Sequence, residues 1–237
     1  MTDTAAAGSA VQQRLPRQRA DASRNYERIV AAAARLFLER GADVPLDEIA
    51  HRAGVGNATL YRHFANRNEL IRVVVLSLMS CLSAQAEQIG ATEPDAFEAL
   101  RQFAHASADL LIGGLCAVFS DQLDLTDPEL REAREQMEDA FELMLRRARE
   151  SGQLRPDIGL GDLIVPIVQL TRPLPGTARA TVEPYAHRHL EILLDGLRAP
   201  QRSVLPGGPA TLAELRLSVH RLNDEPVTTT PNGKPVP

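Results

Sequence analysis

Apolar positions recur at helical spacing along most of this chain. Tyr26, Ile29, Ala33, Leu36 and Phe37 form one stripe and predict a first helix over about Ser23 to Arg40, ended by Gly41. Leu46, Ile49, Ala50 and Ala53 repeat at i, i+3, i+4 and i+7 and predict a short second helix. Gly54 stops it, because glycine takes the left-handed conformation at little cost. Asn57 is read as the cap of a third short helix, accepting an orphan backbone N–H. That helix buries Leu60 and Phe64 and leaves Asn57, Ala58, Thr59, Tyr61, Arg62 and His63 as outward groups. Two short helices across a glycine turn make a helix-turn-helix, whose second helix lies in the DNA major groove.

The helical pattern continues. A long fourth helix is predicted from about Asn66 to Gln88, linking the first three helices to the rest of the chain. Pro94 opens another, ending near Gly113, with Phe97, Leu100, Ala104 and Leu111 inward; Leu115 to Leu123 is a short one. Asp127, Pro128 and Glu129 are a cap, a first-turn proline and a first-turn acid. They start a helix that carries Met137, Phe141, Met144 and Leu145 and stops at Gly152. Gly161 to Leu170 is helical with a kink expected at Pro166, Arg172 to Thr181 is a loop, and a last helix starts near Glu183 and Pro184. No period-two pattern of useful length is present, so the fold class is all-α.

The flanks differ. Residues 1–20 lack periodicity and are read as a flexible arm whose Arg14, Arg17 and Arg19 can reach along DNA or simply be solvated. From Ala199 prolines and glycines accumulate, and residues 200–237 are read as a mostly disordered tail with one amphipathic segment, Leu212 to Leu222. The expected division is therefore arm 1–20, helix-turn-helix domain 21–68, helical body 69–199 and tail 200–237.

A net charge of −5 argues against a protein that coats DNA non-specifically. Its distribution is uneven. Residues 1–72 hold 11 Arg against 8 Asp and Glu, a net of +3, which leaves −8 on the remainder. A basic head on an acidic body suits local phosphate binding at one end. The longest apolar run, Leu70 to Leu82, is interrupted by Arg72, Ser77 and Ser80, so no membrane partner is expected. The start MTDTAAAGSA has no basic stretch followed by an apolar one, and Cys81 and Cys116 lack motif spacing. A cytoplasmic location is expected.

On the third helix and just beyond it, Tyr61, His63 and Arg67 can donate to phosphate, while Asn57 and Arg62 carry groups that read base edges. In the body, His105 and Asp109 are four apart and can face one another, as a solvated pair or as polar anchors of a ligand pocket. Gln122, Gln169 and Arg172 are further polar candidates, with Met137 and Phe141 as wall. His187 and His189 point about 200° apart on a helix and cannot chelate one ion together. No nucleophile motif, phosphate loop or paired-cysteine site is present, so neither an enzyme nor a cofactor or metal site is expected.

The residues Ile29, Val30, Ala31, Ala32, Ala33, Leu36, Phe37 and Gly41, then Ile49, Ala50, Ala53, Gly54, Val55, Thr59, Leu60, Tyr61 and Phe64, and finally Arg67, Glu69 and Leu70 resemble the TetR family of bacterial transcriptional regulators. The resemblance covers about residues 22–72. Two positions depart from it. Pro45 stands where the family often has a capping threonine that touches a phosphate, and Asp47 stands where some members have a base-contacting arginine. Arg67 replaces the usual lysine. The resemblance implies a homodimeric repressor that binds a palindromic double-stranded DNA operator and is released by a small-molecule effector held in the body. It implies a dimer interface on the last two body helices, with Leu190, Leu193, Leu194 and Leu197 as candidates. A constitutive regulator or activator without an effector is the alternative; a helical enzyme or carrier is the remote one.

Overall fold

The computed structural model describes residues 7–41, 43–110, 126–171, 179–200 and 203–211. Among them are eight helices and no strand: α1 (Ala7–Arg40), α2 (Leu46–Ala53), α3 (Asn57–His63), α4 (Arg67–Thr92), α5 (Ala96–Leu110), α6 (Pro128–Glu150), α7 (Leu160–Leu170) and α8 (Arg179–Leu197). The predicted helix over Leu115 to Leu123 lies outside the described residues, as does the segment from Leu212 on.

The helix starts and stops have local causes. Asp127 accepts from the N–H groups of Glu129 and Leu130 ahead of Pro128, as the three start signals require. Asn66 accepts from Glu69 N–H at 2.9 Å, and the Glu69 carboxylate accepts from Ala65 N–H at 2.6 Å, which pins the start of α4. Gly54 closes α2 at φ 65° and ψ 37°, and Val55 N–H bonds back to Ala50. One cap differs from expectation. Gly56 is the residue before α3, and Asn57 is its first helical residue, with no side-chain capping bond.

α1 begins at Ala7, so the expected aperiodic arm is helical over residues 7–20. The absence of an apolar stripe there had hidden a run rich in Ala, Gln and Arg, all good helix formers. α8 likewise begins at Arg179, ahead of Pro184.

The core forms two clusters joined by α4. The first packs Ile29, Ala33, Leu36 and Phe37 against Ile49, Leu60, Phe64, Leu70 and Val74, and reaches Met79 and Leu130. The second packs Leu82, Phe97, Phe103 and Phe141 with Leu163, Leu190 and Leu194. α4 is long and apolar enough to cross a membrane by length and composition. Its Leu70, Ile71, Val74, Val75 and Leu82 are instead buried against the other helices. α6 runs alongside α4: Arg72 meets Asp127 and Glu129 at one end, and Arg147 donates to Gly90 O at 2.5 Å at the other.

The expected disordered tail is corrected over residues 203–211. Ala210 O accepts from Gly161 N–H at 2.8 Å, and Ala210 N–H donates to Asp162 at 3.0 Å. Arg155, only 3% exposed, donates to Ser203 O at 2.9 Å and to Asp157. The prolines and glycines of this stretch shape a strap that lies on the start of α7 rather than a free chain. A Cβ on Gly161 would lie 2.7 Å from Ala210 O, and one on Gly159 2.4 Å, so both glycines are needed for the approach. Residues 203–211 therefore pack against the helical body.

Candidate nucleic-acid interface

Three contacts seat α3. Leu60 and Phe64 are buried, the Tyr26 ring stacks on Phe64 with centroids 5.2 Å apart, and the His63 ring meets Tyr26 edge-on at 6.1 Å. The turn between α2 and α3 is held by Arg28, which donates to Gly54 O at 3.2 Å. A Cβ at Gly54 would push aside the flexible end of the Arg28 side chain, and the positive φ is what requires glycine there.

This seating leaves Asn57, Ala58, Tyr61 and Arg62 exposed on one side of α3, with Thr59 and Arg67 half-buried. Tyr61 is 52% exposed although it is a large aromatic. His63 departs from the expected outward set. Its Nε2 is buried and unpartnered in the structure, and its ring packs on Tyr26 and Phe64, so it positions the helix. Tyr26, expected in the buried stripe, is 38% exposed at the edge of the same cluster. Pro45 precedes α2 at φ −58° and ψ 138°, outside the helix, and supplies no side-chain cap. Glu48 pairs with Arg40 and leaves Asp47 as the exposed acid of that first turn.

The body candidates fall apart. His105 and Asp109 do not meet each other; both turn to His187, at 2.8 Å and 3.0 Å. Met137 is partly buried between the two core clusters, and Phe141 is core, its ring 4.5 Å from Phe103. Gln169 is exposed on α7, and Gln122 and Arg172 lie outside the described residues. Sequence reasoning missed two buried polar atoms without a hydrogen-bond partner, Gln85 Oε1 on α4 and Ser107 Oγ on α5. Neither residue has a motif; only burial among apolar neighbours marks it.

The dimer candidates face inward. Leu190, Leu194 and Leu197 belong to the chain's own core, and Leu193 packs against it. The exposed face of α8 carries Tyr185, His189, Ile192 and Gly196, at i, i+4, i+7 and i+11. The leucine pattern marked the helix's inner face, because a helix that is buried on one side spends its strongest stripe there.

Comparison with known proteins agrees with this architecture. The family described as "Bacterial regulatory proteins, tetR family" matches residues 29–74, and the "Transcriptional regulator SbtR-like, C-terminal domain" matches 94–199. A TetR transcription regulatory protein from Mycobacterium vanbaalenii is 30% identical, with 77% of this chain and 99% of that one covered and a TM-score of 0.51. The chain belongs to the TetR family.

The TetR regulator SCO0520 from Streptomyces coelicolor is 28% identical, covering 73% of this chain and 98% of its own, with a TM-score of 0.57. A curated Staphylococcus aureus relative, an HTH-type transcriptional regulator, is 36% identical over 72 residues, and the match spans 39% of that relative's length. This protein is thus a TetR-family transcriptional regulator, with an N-terminal helix-turn-helix DNA-binding domain and a C-terminal helical domain. TetR-family members bind DNA and small molecules and form dimers, and in general are not enzymes.

Proposed function

We propose that this TetR-family protein is a cytoplasmic homodimeric repressor that binds a palindromic operator and leaves it when a small molecule enters the body. The supporting observation is the row Asn57, Ala58, Tyr61 and Arg62, exposed on a short helix whose opposite side is fixed by Leu60, Phe64, His63 and Tyr26. A rigidly seated helix with one free polar side is what major-groove reading needs. Arg62 is assigned to a base edge, Tyr61 and Arg67 to phosphates, and Asn57, Ala58 and Thr59 to the groove floor. One head supplies a small basic surface; two related by a two-fold axis double it and read a palindrome.

The dimer face is assigned to the exposed Tyr185 and Ile192 of α8 with Val165 of α7, 58%, 61% and 38% exposed. An apolar side chain left this open on two adjacent helices suits a four-helix contact between copies. The effector site is assigned to the body around Gln85 and Ser107, whose unpartnered buried oxygens are polar handles among apolar walls. Domain limits follow as head 21–68 and body 69–211. The head core nevertheless shares α4 as far as Met79, so a ligand that moves α4 moves the head. By linkage, the effector lowers DNA affinity only as far as it prefers the released state.

Footprinting on an operator selected from random DNA tests the reading. Arg62→Ala should lose about 1–3 kcal/mol and relax specificity at one position. Arg67→Ala should weaken all sequences by a similar factor. Absence of any salt-dependent, sequence-selective binding by the unaltered protein would sink the proposal.

A further inference from the structure

Outside the head, a cluster of ionisable groups joins α5 to α8. His105 on α5 and His187 on α8 approach Nδ1 to Nδ1 at 2.8 Å, with ring planes 15° apart and ring centroids at 5.1 Å. That centroid separation is as large as a 2.8 Å nitrogen contact allows, so both Nδ1 atoms lie on the line between the ring centres. The two rings are coplanar and meet head-on. Each Nε2 faces a carboxylate: His105 Nε2 is 2.7 Å from Glu191 Oε1, and His187 Nε2 is 3.0 Å from Asp109 Oδ1.

Proton counting follows from these four contacts. A carboxylate accepts, so both Nε2 atoms must donate. The Nδ1 pair holds a single hydrogen, donated by one ring and accepted by the other. Three hydrogens on four ring nitrogens give the pair one positive charge. A fourth would set two N–H groups against each other, and loss of the third would set two lone pairs against each other. A zinc ion does not suit this gap, because two Zn–N bonds of about 2.0–2.1 Å in line need a wider one.

We propose that His105 and His187 form a one-proton clasp between α5 and α8 that opens on either gain or loss of a proton, making the seating of α8 pH-sensitive. The surrounding charges hold the Glu191 carboxylate ionised. Arg101 donates to Glu191 at 2.6 Å and to Glu98 at 2.7 Å, and Gln102 donates to Glu98 at 3.2 Å. Burial pushes the Glu191 carboxyl up, but the hydrogen bonds from Arg101 and His105 outweigh it and hold it below the ordinary value. Among the described residues, α4, α6 and α7 bring no further charged group into hydrogen-bond or ion-pair contact with either ring. The clasp stands whether or not α8 also forms the dimer face.

Two measurements on the full chain test it. Long-range proton–nitrogen spectra of histidine-labelled protein, taken from about pH 5 to about pH 8, should show both Nε2 atoms protonated and the two Nδ1 atoms sharing one hydrogen. The two rings should change together at each end, and a metal chelator should change nothing. Either ring found with hydrogen on Nδ1 and a bare Nε2, two independent titrations, or a chelator effect would overturn the clasp. In the second, the melting-temperature difference between wild type and His187→Phe should peak inside the range and shrink toward both ends. A constant or one-directional difference would reduce the pair to an ordinary helix contact or a simple histidine–carboxylate pair.

Discussion

Gly161→Ala should change the sign of its effect according to whether residues 200–211 are present. Gly161 sits in the first turn of α7 with no left-handed φ, so alanine suits its backbone and gains up to about 1 kcal/mol in helix propensity. In the full chain the new methyl meets a backbone oxygen, Ala210 O, at 2.7 Å, and the carbonyl carbon behind it at 3.0 Å. No flexible side-chain end can yield there, so the strap must lift. Lifting breaks the Gly161–Ala210 bond, worth about 1 kcal/mol net, and the bond from Ala210 N–H to the Asp162 carboxylate, worth about 1.5–3 kcal/mol. After the helix-propensity gain, the net loss is about 1.5–3 kcal/mol. At about 2–4 °C per kcal/mol for a chain of this size, the melting temperature should fall by about 3–12 °C.

In a chain ending at Ala199 the methyl meets no strap, and the same substitution should be neutral or raise the melting temperature by about 2–4 °C. Thermal unfolding of the four proteins, followed by far-ultraviolet circular dichroism, completes a double-mutant cycle whose coupling term isolates the strap contact. Truncation alone should destabilise, because buried Arg155 loses Ser203 O as an acceptor. Equal losses from Gly161→Ala in both chain lengths would refute the docked strap and return the boundary to Ala199.

The remaining expectations concern the body. Ile192→Glu should give a helical monomer with weakened operator binding, whereas Leu194→Glu, which places a carboxylate in the chain's own core, should unfold it; sedimentation and circular dichroism separate the two, and a folded Leu194→Glu monomer would reverse the assignment. Arg72→Met should reduce stability in a pH-dependent way. The hydrogen bond from Arg72 holds the Asp127 carboxyl below its ordinary value, so that contribution is complete above the unfolded carboxylate pKa of about 3.9 and is lost as pH falls through the depressed folded value. Urea titrations at neutral and acidic pH should show the deficit of Arg72→Met shrinking in acid; an unchanged deficit would mean that Arg72 acts by packing alone. Ser107→Ala should keep apo operator binding and weaken the response to an effector found by thermal shift; an unchanged response would remove Ser107 from the effector site.

The head was legible because its constraints are local. Gly54 needs a left-handed turn three residues before α3, Asn66 and Glu69 cap α4 from within one turn, and the stripe of α2 spans eight residues. Each signal and its partner lie close together in sequence. One exception is His63, whose place depends on Tyr26 in another helix. Without that partner its ring reads as an outward donor. The body was legible as helices but not as a site, for the same physical reason. A leucine stripe states that a helix buries one face, not whose core it enters, and Leu190, Leu194 and Leu197 enter their own chain's.

Long-range polar pairing follows the same logic with higher stakes. Helix geometry sets His187 and His189 apart, yet spacing along α8 says nothing of His105, which lies 82 residues away. Once α5 and α8 pack, the pair acquires two carboxylates and one shared hydrogen, and a residue without a motif becomes one with a countable protonation state. The strap shows the converse. Pro206, Gly207, Gly208 and Pro209 break helices and so resemble disorder by composition, but a segment without helix also has free N–H and C=O groups to offer. At Ala210 both are used, one by Gly161 and one by Asp162. Breaker-rich sequence therefore predicts the absence of regular structure, and whether it docks is decided by glycines elsewhere in the chain that leave room for its backbone.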